Sequence, residues 1–331
     1  MRLIATLIAI VSCALINVAP ASATAVSCTD TNIQVTLTLL PQTVHGKLCR
    51  PVGITPDTVQ LLVHGGTYSG RYWDLPYGEY SYQREMGRLG RATFAIDLLG
   101  SGTSSQPLST LLTGITQASV VHQVVSKLRT GQVLGLPFDR IVLVGHSMGS
   151  GIAIVEATSY HDVDGVVLTG MTHSMDALML TTIFVDGIHP AILDPLLASR
   201  GGDAGYITTI PGARHFFHDP GTYEPGVLTA DETTKDQVSS TMVPDLVPLA
   251  FTSTLSRAIT VPVLMANGTQ DTLFCAFHCT SSTDLLNAEA PYFTSGLDVV
   301  LLPNAGHSLA LSTGAPAYRS AVDGWLTSHF E

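Results

Sequence analysis

Short apolar runs recur along the chain, separated by polar segments that carry Gly and Pro: Thr58–Val63, Ala92–Leu98, Arg140–Val144, Gly165–Thr169, Val261–Ala266 and Leu297–Leu302. They read as strands apolar on both faces, which a parallel sheet covered by helices requires. Ile33–Leu40 alternates instead and predicts an antiparallel edge strand, paired with Gly46–Pro51. Helical stretches lie between the strands, at Tyr82–Leu89, Ile115–Thr130, Gly149–Thr158 and Tyr318–Phe330. Strands alternating with helices predict an α/β fold with a mostly parallel sheet.

From Gly170 to Ile259 that rhythm stops. The interval carries Met171, Met175, Met179, Phe216 and Phe217 among several Pro and Gly residues. It is too long for a plain connection and reads as an insertion over the C-terminal edge of the sheet. No internal repeat and no low-complexity linker is visible.

The start of the chain is a separate matter. Met1-Arg2 precedes an apolar run from Leu3 to Ala19, and small residues follow up to Ala25. Residues 1–25 therefore read as a secretory signal peptide, which predicts a secreted protein with no stable membrane insertion after cleavage. The run is shorter than the ~20 residues that a spanning helix needs. Cys13 lies inside it, out of place for a lipid attachment site.

Composition bounds the rest. Of 331 residues, 45% are hydrophobic and 12% charged, enough for one large domain with an insertion and without a disordered composition. The net charge of −11 and the lack of a Lys/Arg cluster argue against nucleic acid or an anionic membrane as partner. Without Cys13, four cysteines remain and allow three pairings. Proximity in sequence favours Cys28–Cys49 and Cys275–Cys279. Cys275 and Cys279 flank His278, but nothing at suitable spacing completes a metal site, and no His-Glu-x-x-His occurs. No metal or organic cofactor is expected, and a monomer is.

The chemistry concentrates in three places. Gly145-His146-Ser147-Met148-Gly149 lies between a buried strand and a helix. This pattern lifts a serine hydroxyl above the sheet on a strained turn that side chains at either glycine would block. Ser147 is the expected nucleophile, and the N–H of Met148 an oxyanion donor at a helix start. Val63-His64-Gly65-Gly66-Thr67 follows another buried strand and offers a second donor, Gly66, with Thr67 as fallback. Thr67 and His146 are expected beside the substrate, and His64 in a structural hydrogen bond. Asp271 and His307 each follow a late strand, so both belong at the edge where Ser147 sits. His307 would be the general base and Asp271 the acid that orients it. Asp97, Asp164 and Asp176 are rivals for the acid, each less well placed along the chain. His215, His218 and His278 are expected to face the pocket or solvent, with a plain surface role favoured for each. Asn267-Gly268-Thr269 matches a glycosylation sequon beside the acid loop.

His64-Gly65-Gly66, the Asp97–Ser104 segment, Gly145–Gly149, Asp271 and Gly306-His307 together resemble the α/β-hydrolase superfamily over nearly all of the mature chain. The resemblance implies an eight-stranded, mostly parallel sheet flanked by helices, with an inserted cap, and hydrolysis through an acyl-enzyme. On that footing residues 26–170 and 260–331 form the core and 171–259 the cap. A serine at the elbow argues against the dehalogenases and epoxide hydrolases of this fold, which place a carboxylate there. The expected substrate is a small apolar acyl ester or lactone, suited to a Met-, Leu- and Phe-rich pocket. An acyltransferase or a cyclising, lactone-processing enzyme would use the same triad, and a non-catalytic binding protein would not need it.

Overall fold

In the computed structural model, residues 24–275 and 278–331 are described. All but the last two residues of the expected signal peptide lie outside them. The chain opens with a hairpin of β1 (Val26–Leu37) and β2 (Leu40–Pro51), whose register sets Cys28 opposite Cys49. The Cys28–Cys49 and Cys275–Cys279 disulfides are both formed. Next come β3 (Thr58–Val63), α1 (Tyr82–Arg88), β4 (Ala92–Ile96), α2 (Gly114–Arg129), β5 (Arg140–His146), α3 (Met148–Tyr160) and β6 (Gly165–Thr169).

The interval expected to form a cap has regular structure that its sequence pattern does not display. It comprises α4 (Ala177–Asp186), β7 (Ile188–Pro190), β8 (Tyr206–Thr209), α5 (Pro225–Thr234), β9 (Val238–Ser239) and α6 (Met242–Leu246). These strands are two to four residues long, too short to show a period, and form a small antiparallel sheet of their own in the order β7-β8-β9. The chain returns to the main sheet through β10 (Val263–Gly268), α7 (Ser282–Glu289), β11 (Leu297–Leu302) and α8 (Ala315–Phe330).

The main sheet has eight strands in the order β1-β2-β4-β3-β5-β6-β10-β11. The pairs β1/β2 and β2/β4 are antiparallel, and the rest are parallel. The central strands are buried along almost their whole length, because helices cover both faces. α1 packs on α8, and α2 on α3. The first helix is capped by Ser81, whose hydroxyl accepts from Arg84 N, and the second by a Thr113/Thr116 capping box.

Because β3, β5, β6, β10 and β11 all run the same way, the loops at their C-terminal ends crowd one edge. Those loops carry Gly66, Ser147, Gly170, Asp271 and His307 respectively. Two hinges join the 170–259 interval to the core, and one buried cluster clips them together. His173, after β6, bonds Glu289 Oε2 through Nδ1 (2.6 Å) and Ser256 Oγ through Nε2 (2.9 Å). Tyr292 stacks on its ring at 3.8 Å. The three side chains repeat the connectivity of a serine-histidine-acid triad. Ser256 is fully buried, however, so its hydroxyl meets no substrate and the cluster works as a brace.

Candidate active site

Ser147 closes β5 and caps α3, with φ 54° and ψ −119°. That backbone conformation is costly for a residue with a side chain, and its surroundings hold it in place. The N–H of Ser147 donates to Thr169 O (2.8 Å), and Thr169 Oγ1 donates to Gly145 O (3.0 Å). The flanking glycines are required by space. A Cβ on Gly149 would lie 2.3 Å from Val63 O, and one on Gly145 would lie 2.5 Å from Gly149 O and Ser150 N. Backbone cannot yield as a flexible side chain can, so both positions exclude any larger residue.

Met148 is the first residue of α3, and its N–H is one of those that a helix leaves without an internal acceptor. Gly66 packs against it: a Cβ there would come within 2.5 Å of Met148 Sδ. A Cβ on Gly65 would come within 3.1 Å of Ser147 Cβ. The two residues expected to supply oxyanion donors are therefore neighbours, on the same side as Ser147.

His307 Nδ1 bonds Asp271 Oδ2 at 2.8 Å, and both side chains are buried. Asp271 Oδ1 accepts from Leu273 N (3.0 Å) and Phe274 N (3.1 Å), which fixes its plane. His307 lies between the Phe217 and Phe274 rings, with centroids 5.8 Å away in each case. Of the rivals, Asp164 accepts from Arg129 and from Ile141 N, and Asp176 caps α4. Asp97 ties loops together. It accepts from Gly70 N (2.8 Å) and Thr103 N (2.9 Å) and bonds His45 Nδ1 (3.0 Å). Burial alone would raise its carboxyl, but these partners, His45 foremost, hold it below the usual carboxylate range.

An apolar cavity opens at Ser147. Gly66, Thr67 and Met148 line it at the core side, and among the described residues the only polar side chains in its wall are Thr67 and Ser147. Most of the remaining wall comes from the 170–259 interval, including Met175, Phe184, Ile207, Val243 and Phe251. Its enclosed part is about 70 Å³, and the rest opens to solvent. A second depression lies across Phe217, where His307 is part of a mixed wall that includes His215, His218, Asp219, Gln270 and Thr272.

His146 does not reach either cavity. It is fully buried and stacked on Tyr72 at 4.2 Å, and burial together with the charge of His307 holds its ring well below the ordinary histidine value. Its Nε2 has no hydrogen-bond partner among the described residues. The expected substrate contact is corrected accordingly: the side chain at this elbow position points down into the fold. His64 behaves as expected, accepting from Leu98 N at 3.1 Å through Nε2. Asn267 is fully buried within β10, out of reach of glycosylation.

His218 is also not at the surface. It joins a buried network that the sequence did not reveal. Arg214 donates to both oxygens of Asp231 (3.1 and 3.0 Å) and to Thr67 Oγ1 (2.7 Å). Its guanidinium lies 4.0 Å from the Tyr68 ring centroid. His218 Nε2 bonds Asp231 Oδ2 at 2.7 Å, and the Tyr68 and Ser308 hydroxyls bond at 2.7 Å. Burial would raise the Asp231 carboxyl; Arg214 and His218 instead hold it below its usual range. The network links the 170–259 interval to the Gly66-Thr67 loop and to the residue after His307. No spacing rule joins Thr67, Arg214 and Asp231, so only packing could reveal it.

With fold and site in place, comparison assigns the chain to a class. It belongs to the alpha/beta hydrolase family, whose model matches residues 60–318. No curated protein sequence matches the chain. Among solved structures, a thermophilic esterase from Thermogutta terrifontis, malate bound, superposes with a TM-score of 0.61 at 17% identity, over 91% of this chain and 100% of that one. A soluble variant of monoglyceride lipase from Saccharomyces cerevisiae, in complex with a substrate analog, gives 0.60 at 18% identity, over 87% and 92%. A mutant of the N-acyl homoserine lactonase AidH complexed with N-hexanoyl homoserine gives 0.57 at 16%, over 92% and 98%. At such identities the likeness is one of fold, and the fold hosts many chemistries.

Proposed function

We propose that this chain is a secreted serine hydrolase that cleaves a carboxylic ester or lactone with an apolar acyl part. The observation that carries the reading is the buried Asp271–His307 bond of 2.8 Å on the same sheet edge as a serine held at positive φ in the wall of an apolar cavity. Ser147 Oγ attacks the carbonyl carbon while His307 Nε2 takes its proton. Asp271 keeps the Nδ1 proton in place and stabilises the imidazolium. The developing oxyanion accepts from Met148 N–H and Gly66 N–H; losing one such donor costs about 2.7–4 kcal/mol elsewhere. His307 returns the proton to the leaving alcohol, and water then repeats the sequence on the acyl-enzyme.

The two depressions divide the substrate. The acyl chain fits the cavity at Ser147, and the alcohol and the incoming water fit the mixed depression at His307. Residues 171–259 act as a cap that supplies most of the acyl wall. Two disulfides and the apolar start of the chain support export to an oxidising compartment. Among the described residues no helix is long and apolar enough to cross a membrane.

The test is mass analysis after treatment with a fluorophosphonate, with a p-nitrophenyl ester series beside it. The expected result is one adduct, on Ser147, and no hydrolysis by folded Ser147→Ala. Hydrolysis that persists in Ser147→Ala overturns the proposal. Addition of alcohol acceptors to the assay separates transfer to water from transfer to another nucleophile.

A further inference from the structure

About 13.5 Å along α3 from Ser147, at nine residues of 1.5 Å each, lies a second cluster that the proposed reaction does not use. His122 on α2, Glu156 on α3 and Asp162 just past α3 each offer a donor atom, and the three atoms lie within 4.8 Å of one another. His122 Nδ1 bonds Asp162 Oδ2 at 2.7 Å, and the Tyr160 ring stacks on the imidazole at 3.9 Å, fixing its plane. Glu156 is fully buried, and neither of its carboxylate oxygens has a hydrogen-bond partner among the described residues; the same holds for Asp162 Oδ1.

Two adjoining carboxylates in such a place need a positive partner. The nearby Arg129 is spent elsewhere: its guanidinium donates to Asp162 O, Asp139 O and Asp164 Oδ2. The C-terminal end of α3 adds the negative pole of the helix instead of relieving the charge. Burying an ionised carboxylate without a partner is expensive, so either a proton or a cation must occupy the cluster. A single proton turns one of the three orphaned oxygens into a donor to a second and leaves the third without a partner. A divalent cation takes one oxygen from each acid and one imidazole nitrogen, a metal bond at Nδ1 replacing the hydrogen bond to Asp162.

We propose that His122, Glu156 and Asp162 form a structural zinc site that staples α2 to the C-terminal end of α3. One nitrogen and two carboxylate oxygens suit zinc, which takes four ligands in a tetrahedron, the fourth here being water. Calcium wants six to eight oxygens, and magnesium keeps most of its waters. The His122 and Asp162 side chains are 35% and 25% exposed, which leaves the ion a way in and room for the water. The sequence shows no metal motif because His122 and Glu156 sit 34 positions apart on packed helices and share no local pattern.

The mature protein, stripped with chelator and dialysed, is titrated with zinc chloride while bound metal and Tm are followed. The expected result is one zinc per chain and a Tm rise of roughly 5 °C or more at saturation. Glu156→Gln and Asp162→Asn are each expected to abolish both effects while remaining folded, since each mimics the protonated acid. His122→Gln supplies a third variant should either fail to fold. Wild-type protein that neither binds zinc nor gains Tm overturns the proposal and leaves a shared proton as the occupant. Stoichiometric binding that survives in Glu156→Gln also overturns it, because the zinc then lies elsewhere. An equal Tm rise with magnesium or calcium overturns the assignment to zinc.

Discussion

Asp271→Asn separates orientation from charge at the proposed centre with the least disturbance of shape. Asp271 Oδ1 holds two backbone N–H groups, of Leu273 and Phe274, so an asparagine must keep its carbonyl oxygen there. Its amide nitrogen then takes the place of Oδ2, 2.8 Å from His307 Nδ1. An NH₂ in that place donates, so Nδ1 must become the acceptor and the ring proton moves to Nε2. The nitrogen that should take the proton of Ser147 is then already protonated. In a serine protease this change of tautomer lowers kcat about 10⁴-fold, or about 5.5 kcal/mol of barrier. A similar loss is expected here, with Tm within about 3 °C of wild type because the hydrogen bonds keep their number. The assay is hydrolysis of p-nitrophenyl butyrate together with the rate of fluorophosphonate labelling and a thermal melt. Asp139→Asn is the control, expected within about threefold of wild type, since that carboxyl is exposed ahead of β5, at the opposite end of that strand from Ser147. Folded Asp271→Asn with activity within about tenfold of wild type would refute the assignment of Asp271.

Three further outcomes are expected. Arg214→Met leaves the Asp231 carboxylate buried without its bidentate partner; urea unfolding should show a loss of about 3–5 kcal/mol, smaller in Arg214→Met with Asp231→Asn, and equal losses would argue against the pairing. Ile207→Trp fills the acyl cavity, and kcat/KM for p-nitrophenyl octanoate should fall roughly tenfold or more while the acetate ester stays within about threefold; a uniform fall would place the acyl chain elsewhere. His45 titrates above the ordinary histidine value because Asp97 accepts its Nδ1–H, burial opposing. A raised folded value means that the stabilisation is complete below about pH 6.5 and is lost as pH rises through the folded value. His45→Gln should therefore cost more stability at pH 5.5 than at pH 9, and a cost that grows with pH in urea melts would contradict the pairing.

Much of the sheet was legible before any coordinates. Thr58–Val63, Gly165–Thr169 and Leu297–Leu302 fall as read from their apolar runs, and Ala92–Leu98 and Val261–Ala266 are off by two residues at their ends. A strand covered on both faces must be apolar throughout, and that demand is written in consecutive residues. The Gly145–Gly149 elbow was legible for a similar reason: backbone packed within 2.5 Å of two positions admits only glycine there. The α4 to α6 interval was not legible. Its strands are too short for a period, and its apolar residues face the cavity wall as well as the core.

The sequence by itself determined the alternation of strands and helices, the strained turn at Ser147 and the order in which Asp271 and His307 follow it. All of these depend on contacts within a few residues or on one periodic face. Only the tertiary structure decided that His146 turns inward onto Tyr72, that His218 and Arg214 meet on Asp231, and that His122, Glu156 and Asp162 converge. Those groups come from separate loops and helices, and a buried charge is satisfied by whatever packing brings beside it, which no local pattern records.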